Sequence, residues 1–127
     1  MQPTILIIED NEQNLYLTRF ILEQRGYKTL EARDGPSGIT LAQAFPPALI
    51  LLDIQLPEMD GYAVARNLRN IPSLHAIPIV AVTSYAMVGD REQVLASGCD
   101  GYIEKPINPD TFINEIETYL HRPRGSA

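Results

Sequence analysis

The sequence ALILLDIQLPEMDG occupies residues 48–61. Its first five residues are apolar and predict a β-strand that is covered on both faces and ends at Asp53. The Pro-Glu-Met-Asp-Gly segment at 57–61 predicts a turn soon afterwards. A carboxylate at the end of a buried strand is partly desolvated and has no partner within that strand, so it is poorly placed for stability. Such a position suits a reactive group or a metal ligand.

Polar residues also follow three other apolar runs, and each run predicts a buried strand. They are Glu9-Asp10 after Thr4–Ile8, Thr83-Ser84 after Ile77–Val82, and Lys105-Pro106 after Gly101–Ile103. Together with Asp53 they supply three acids, a hydroxyl and a lysine at separate strand ends. This set predicts one site that binds Mg²⁺ and accepts a phosphoryl group on Asp53.

Helix-period segments alternate with the apolar runs, which predicts an α/β domain built from a parallel sheet with helices on both faces. We expect a single (βα)5 flavodoxin-like, doubly wound fold with strand order 2-1-3-4-5, because the second strand, Tyr27–Ala32, is polar enough for a sheet edge. In such sheets ligands bind beyond the carboxyl ends of the strands, at the switch point between strands 1 and 3. Glu9-Asp10 and Asp53 follow those two strands.

The helices are predicted from their apolar spacing and their flanking Gly and Pro residues. The first covers 11–25, with Leu17, Phe20, Ile21 and Gln24 at helical spacing, and the fifth covers 109–121, with Phe112, Ile113, Ile116 and Leu120 facing inward. The other three run from Asp34 to Pro46, over 61–70 and over 86–96.

The length of 127 residues predicts one domain. We expect that domain at 1–122, a linker or tail at 123–127, and a natural N-terminus at Met1. The net charge of -6 argues against direct nucleic-acid binding. No apolar run has the length of a membrane span and no signal-peptide pattern is present. The single cysteine, Cys99, excludes an internal disulfide. We therefore expect a cytoplasmic protein without membrane association.

The expected metal is Mg²⁺, which prefers oxygen ligands, with Mn²⁺ as a possible substitute. Asp10 and Asp53 would ligate it directly, Glu9 directly or through water, and Gln55 through its backbone carbonyl. For Asp10 an alternative is capping of the first helix. Without a metal, three acids within a few ångströms would repel one another and raise at least one pKa.

Asp53 as a nucleophile would attack a phosphohistidine phosphorus and form an aspartyl phosphate. Lys105 would bind one phosphoryl oxygen by a charge-assisted hydrogen bond, and Thr83 would donate its hydroxyl to another. A cis Lys105–Pro106 bond would aim the lysine into the site. The alternatives are a solvated lysine and a helix-capping threonine. Nucleotide loops, zinc clusters and a hydrolase nucleophile elbow are absent from the sequence.

These residues resemble the pattern of the two-component response regulator receiver domain over nearly the whole chain, from Thr4 to Leu120. The segments at 86–90 and 98–107 are similar to receivers of hybrid histidine kinases and of single-domain, cell-cycle-type regulators, and we favour a stand-alone regulator. The resemblance implies phosphoryl transfer from a histidine kinase or a histidine phosphotransfer protein, and no enzymatic activity beyond its own phosphorylation and dephosphorylation. It also implies a switch in which Thr83 moves toward the phosphate and Tyr102 turns inward, so that the face of helix 4, strand 5 and helix 5 changes its downstream protein partner.

Two positions depart from the family pattern: Glu9 replaces the commoner Asp, and Ser84 replaces a small apolar residue. Tyr85 is expected to shield the phosphoryl group from water and to lengthen its lifetime.

A dehalogenase-type phosphatase would need a second acid at position 55, and Gln55 cannot act as a general acid or base. An unphosphorylated pseudo-receiver that acts as a protein interaction module is the remaining alternative, against which the intact acid, hydroxyl and lysine set argues.

Overall fold

The computed structural model describes residues 3–56, 59–84 and 88–121, without the side chains of 88–91. Strands and helices alternate along this part of the chain, and the strands form one parallel sheet in the order β2-β1-β3-β4-β5. The predicted fold class and strand order are therefore confirmed. The elements are β1 Thr4–Ile8, α1 Glu12–Gln24, β2 Lys28–Ala32, α2 Gly35–Ala44, β3 Leu49–Asp53, α3 Gly61–Arg69, a 3-10 turn Pro72–Leu74, β4 Ile79–Thr83, α4 Val88–Ala96, β5 Gly101–Glu104 and α5 Pro109–Leu120.

The sheet separates two apolar cores because successive side chains of a strand point to opposite faces. Alternate residues of β1 and β3 pack against α1 and α5 on one face, and the intervening residues pack against α2, α3 and α4 on the other. Every residue of β3 and β4 is buried, which explains their continuous apolar sequence. Among the described residues, no helix combines the length and the apolar character that crossing a membrane requires.

The residues whose helical spacing predicts α1 are not the ones that face the sheet, apart from Ile21. Leu17 and Phe20 are 36% and 49% exposed, whereas the buried positions are Leu15, Thr18, Ile21 and Leu22. Apolar residues occupy most of the circumference of this helix, so spacing alone does not determine which stripe contacts the sheet.

Strand β4 starts at Ile79, two residues later than predicted. The Ile77 N–H donates to the Leu74 carbonyl at the end of the 3-10 turn, and Pro78 has no N–H for the sheet. The strand then extends to Thr83, which pairs with Glu104, so Thr83 is the last residue of β4 and not the cap of α4.

Arg69, the last residue of α3, anchors the opposite end of the sheet from the acids. Its guanidinium donates hydrogen bonds to the carbonyls of Gly98 and Ile77 at 2.7 and 2.8 Å, and to Asp100 Oδ2 at 2.8 Å. Asp100 Oδ2 also accepts from the Ile79 N–H. One largely buried ion pair therefore joins α3, the start of β4 and the turn before β5.

Candidate functional site

The carboxyl ends of β1, β3 and β5 border one polar cavity of about 490 Å³. Its walls come from the strand ends and from the first turn of α1, because the parallel arrangement places these segments at one edge of the sheet. The lining residues are Glu9, Asp10, Asn11, Glu12, Asn14, Asp53, Gln55, Ser84 and Lys105.

Asp53 is held at the end of β3 by the loop that follows it. Its Oδ1 accepts a hydrogen bond from the Gln55 N–H at 3.0 Å. Further along, the Gly61 N–H donates to the Ile54 carbonyl at 2.9 Å. A Cβ atom at Gly61 would lie 2.5 Å from the Ile54 Cα and 2.7 Å from the Asp53 carbonyl oxygen, so only glycine permits this approach. The start of α3 therefore packs directly against the backbone of Asp53 and Ile54.

Glu9, Asp10 and Asp53 form a carboxylate cluster at the floor and rim of the cavity. One oxygen from each residue lies within 4.8 Å of the others. Glu9 and Asp53 are buried and Asp10 is exposed. Oxygen ligands at this spacing, open to solvent on one side, fit a Mg²⁺ ion that keeps several waters.

Asp10 is not the N-cap of α1, which was the alternative role for this residue. Asn11 is the N-cap of α1, and its side chain accepts a hydrogen bond from the Asn14 N–H at 3.0 Å. The Asn11 N–H donates to Glu9 Oε2 at 3.2 Å, which orients that buried carboxylate. The capping residue and the acid cluster are therefore neighbouring but separate groups.

Lys105 projects into the cluster from the end of β5. Its Nζ lies 3.0 Å from Glu9 Oε1 and 3.3 Å from Asp53 Oδ1. The Lys105–Pro106 peptide bond is cis, as expected from the sequence. The Lys105 N–H donates to the Thr83 carbonyl at 2.8 Å, which continues the β4–β5 pairing to the site. The alternative of a solvated lysine is wrong, because this ammonium is paired with two carboxylates.

Electrostatics in the cluster follow from this geometry. Burial, followed by the hydrogen bond and repulsion from Glu9, raises the pKa of Asp53 from 3.8 to about 6, although the Gln55 N–H and Lys105 act in the opposite direction. Burial lowers the pKa of Lys105, but its hydrogen bond to Glu9 and the charge of Asp53 outweigh that effect and raise the pKa overall. Lys105 is therefore a cation at neutral pH. It lies next to Asp53, whose ionisation costs more free energy than that of a solvent-exposed aspartate.

The other predicted site residues lie at different depths. Ser84 is exposed at the cavity rim, where its hydroxyl donates to Gln55 Oε1 at 3.2 Å. Thr83 is buried behind it and is not among the described residues that line the cavity. Tyr102 is half-buried and lines a different groove, of about 360 Å³, with Pro106 and residues of α5. Tyr85 lies outside the described residues.

Four residues near the cluster were not predicted. Asn11, Glu12 and Asn14 line the cavity from the first turn of α1, and Thr18 is buried one turn further along. Polar residues directly after Glu9-Asp10 were the available signal for the first three. No pattern in the sequence singled out Thr18, because apolar residues occupy most of the circumference of α1 and only packing shows which side is buried.

Comparison with known proteins supports a single family. Residues 5–117 match the model of the response regulator receiver domain. The polar-differentiation response regulator DivK of Brucella anthropi is 44% identical over 120 residues, which cover 94% of this chain and 98% of that protein.

Two solved structures extend the similarity to the backbone. A CheY-like response regulator receiver domain protein from Methanospirillum hungatei is 30% identical, with a TM-score of 0.87 and 95% of each chain covered. The receiver domain of a sensor histidine kinase from Pseudomonas aeruginosa is also 30% identical, with a TM-score of 0.88 and with 95% of this chain and 99% of that chain covered. That structure has a magnesium ion coordinated in its active site cleft.

Proposed function

The chain belongs to the response regulator receiver domain family of two-component signalling, and on that premise we propose that it accepts a phosphoryl group on Asp53. The donor is the phosphohistidine of a histidine kinase or a histidine phosphotransfer protein. The acceptor site lies at the carboxyl edge of the sheet.

One observation carries the proposal: the Lys105 ammonium contacts Asp53 Oδ1 at 3.3 Å inside a cluster of three carboxylates. A lysine paired with a buried acid could serve stability alone, but a second and third acid beside it oppose stability. A cation and an acid cluster around one strand-end carboxylate match the needs of phosphoryl transfer, which depends on positioning and on neutralising negative charge.

In the proposed reaction an Asp53 carboxylate oxygen attacks the phosphorus of the donor. The new P–O bond forms as the P–N bond breaks, and the electron pair of that bond returns to the imidazole nitrogen, which takes up a proton. Lys105 neutralises one of the phosphoryl oxygens. The Gln55 N–H, which already contacts Asp53 Oδ1, holds the carboxylate in one orientation.

The residues that would hold Mg²⁺ are Glu9, Asp10 and Asp53, together with the backbone carbonyl of Gln55. When bound, the ion supplies positive charge that offsets the acid cluster and the incoming phosphoryl group. We propose that Mn²⁺ substitutes for it, since it accepts the same oxygen ligands. The longer Glu9 side chain already reaches Lys105, so a contact to the ion through water is the more natural arrangement for this residue.

We propose that phosphorylation is read out through Thr83 and Tyr102. The Thr83 hydroxyl moves to a phosphoryl oxygen, and Tyr102 turns inward from its half-buried position on β5. The surface of α4, β5 and α5 then changes its affinity for a downstream protein. The protein catalyses its own phosphorylation and its own slow dephosphorylation, and Tyr85 slows the latter.

We propose that the receiver domain comprises residues 1–122, with 123–127 as a linker or tail. We propose a cytoplasmic location, where Cys99, a buried free thiol, stays reduced. No direct contact with nucleic acid or membrane is proposed, because the net charge of -6 opposes both kinds of anionic surface.

Incubation with acetyl phosphate, followed by intact mass measurement, tests the proposal. The wild type should gain one phosphoryl group in the presence of Mg²⁺ and none in EDTA, whereas Asp53→Asn should gain none. Asp110→Asn, an exposed acid in the first turn of α5, is the control and should behave as the wild type. A wild type that stays unmodified with ample Mg²⁺ would favour the pseudo-receiver function instead.

A further inference from the structure

A second, very small cavity lies beneath the acid cluster, on the protein side of Glu9 and Asp53. Its volume is about 10 Å³. Aliphatic residues of β1, β3 and β4 form most of its wall, and Thr18 of α1 completes the lining together with the two acids. Three polar residues, Glu9, Asp53 and Thr18, therefore surround one small space in an otherwise apolar layer.

Thr18 is an unusual residue for its place in the fold. It is 4% exposed and lies on the inward face of α1, whose other buried residues are Leu15, Ile21 and Leu22. Threonine is a weaker helix former than leucine, and a buried hydroxyl costs stability unless it is hydrogen-bonded. A valine would fill the same volume without that cost. The hydroxyl at this position is consistent with a polar partner in the cavity.

We propose that this cavity is a binding site for one water molecule, which bridges the Thr18 hydroxyl to the carboxylates of Glu9 and Asp53. A single water needs roughly 10–15 Å³ of accessible volume and two to four polar partners. The volume is at the lower end of that range, so the site accommodates one water and no larger ligand. The three polar walls supply the partners.

Thr18 is then a residue that positions the acid cluster. This role rests on the function proposed above. Lys105, Gln55 and Asn11 contact the two buried carboxylates through Nζ and two backbone N–H groups. The bridged water adds a contact from the direction of α1. It would limit rotation of both carboxylates and so favour the arrangement that binds the metal ion.

Paired variants separate this role from ordinary packing. Thr18→Val keeps the shape and removes the hydroxyl, and Thr18→Ser keeps the hydroxyl and removes the methyl group. High-resolution crystal structures of the metal-free wild type and Thr18→Val show whether the water is present. Calorimetric titration with MgCl₂ measures the metal affinity of all three proteins, and urea unfolding checks that each is folded.

We expect ordered water density within hydrogen-bonding distance of Thr18 Oγ1 and one carboxylate in the wild type, and none in Thr18→Val. The affinity of Thr18→Val for Mg²⁺ should be about tenfold lower than that of the wild type, which is the low end of the range for residues that support metal ligands. The affinity of Thr18→Ser should be close to that of the wild type. The proposal would be overturned by a wild-type crystal structure in which the water is absent and the Thr18 hydroxyl donates a hydrogen bond to the Asn14 carbonyl. The Thr118 hydroxyl makes the equivalent bond to the Asn114 carbonyl in α5. Equal Mg²⁺ affinity of the wild type and Thr18→Val would also overturn the proposal.

These outcomes are distinct from a failure of the proposed function. A wild type that binds Mg²⁺ and is phosphorylated on Asp53, with an unaffected Thr18→Val variant, contradicts only the water site. A wild type that neither binds Mg²⁺ nor accepts a phosphoryl group contradicts the function, while the crystal structures still decide whether the water is present.

Discussion

Replacing Asp53 with asparagine should make the metal-free protein more stable, although it removes the proposed phosphoacceptor. The Asp53 carboxylate is 3% exposed and lies in a cluster with Glu9 and Asp10. Its ionised form loses hydration and is repelled by Glu9, and Lys105 offsets only part of this cost. An asparagine amide fills nearly the same volume, can still accept the Gln55 hydrogen bond, and carries no charge.

The size of the effect follows from the pKa of Asp53, which rises from 3.8 to about 6 in the folded protein. That difference corresponds to about 3 kcal/mol of unfavourable free energy for the ionised form, at about 1.4 kcal/mol for each pH unit. The figure is an upper limit for the gain in Asp53→Asn, because the amide is not an exact substitute for the protonated carboxyl group to which the pKa refers. We expect a gain of about 1–3 kcal/mol.

The direction of the pH dependence is determined by the same difference. The folded state keeps the Asp53 proton to higher pH than the unfolded state, so the wild-type free energy of unfolding falls as pH rises from about 4 to about 6. The loss is nearly complete by about pH 7, one unit above the pKa of the folded state. The advantage of Asp53→Asn should therefore be small near pH 4 and fully present at pH 7.5.

Urea unfolding in EDTA, followed by far-ultraviolet circular dichroism, measures the difference at both pH values. With a slope of about 1–3 kcal/mol per molar urea, a gain of about 2 kcal/mol raises the midpoint by roughly 1 M. Glu115→Gln, which removes an exposed charge on α5, controls for net charge and should change little. The reasoning would be refuted if Asp53→Asn were no more stable than the wild type at pH 7.5. It would also be refuted if the gain in the free energy of unfolding were as large at pH 4 as at pH 7.5.

Three further predictions concern the surrounding fold. Gly61→Ala should cost at least about 1–3 kcal/mol in urea unfolding, because its Cβ would overlap the Ile54 and Asp53 backbone, although alanine normally favours a helix. Arg69→Met should cost about 3 kcal/mol in the same assay, because it leaves the Asp100 carboxylate largely buried without its cation. The Cys99 thiol should react about 100-fold more slowly at pH 8 with a colorimetric disulfide reagent than an exposed thiol would, because burial raises its pKa from 9.0 to about 11.

Each of these predictions has its own control. A Gly61→Ala protein as stable as the wild type would mean that the tight loop behind Asp53 adapts readily. Adding Asp100→Asn to Arg69→Met should recover part of the lost stability, and a double variant less stable than Arg69→Met would argue against a charge effect. The Cys99 thiol should react quickly once the protein is unfolded in guanidinium, and rapid reaction of the folded protein would contradict its burial.

The sequence alone determined the architecture and most of the candidate site. Continuous apolar runs such as 48–52 occur where a strand is covered on both faces, and this pattern predicts a parallel sheet between helices. Parallel strands bring their carboxyl ends to one edge, so Glu9, Asp10, Asp53 and Lys105 were predicted to lie together. Both inferences depend on strand geometry, which local sequence specifies well.

The tertiary structure decided which groups touch. Most of the circumference of α1 is apolar, so only packing against the sheet buries Leu15 and Thr18 and leaves Leu17 and Phe20 exposed. The contacts of the Lys105 ammonium with Glu9 and Asp53, and the small cavity beneath those acids, depend on distances between separate strands and a helix. Such distances are set by the packing of side chains that are far apart in the chain, and no local pattern of residues encodes them.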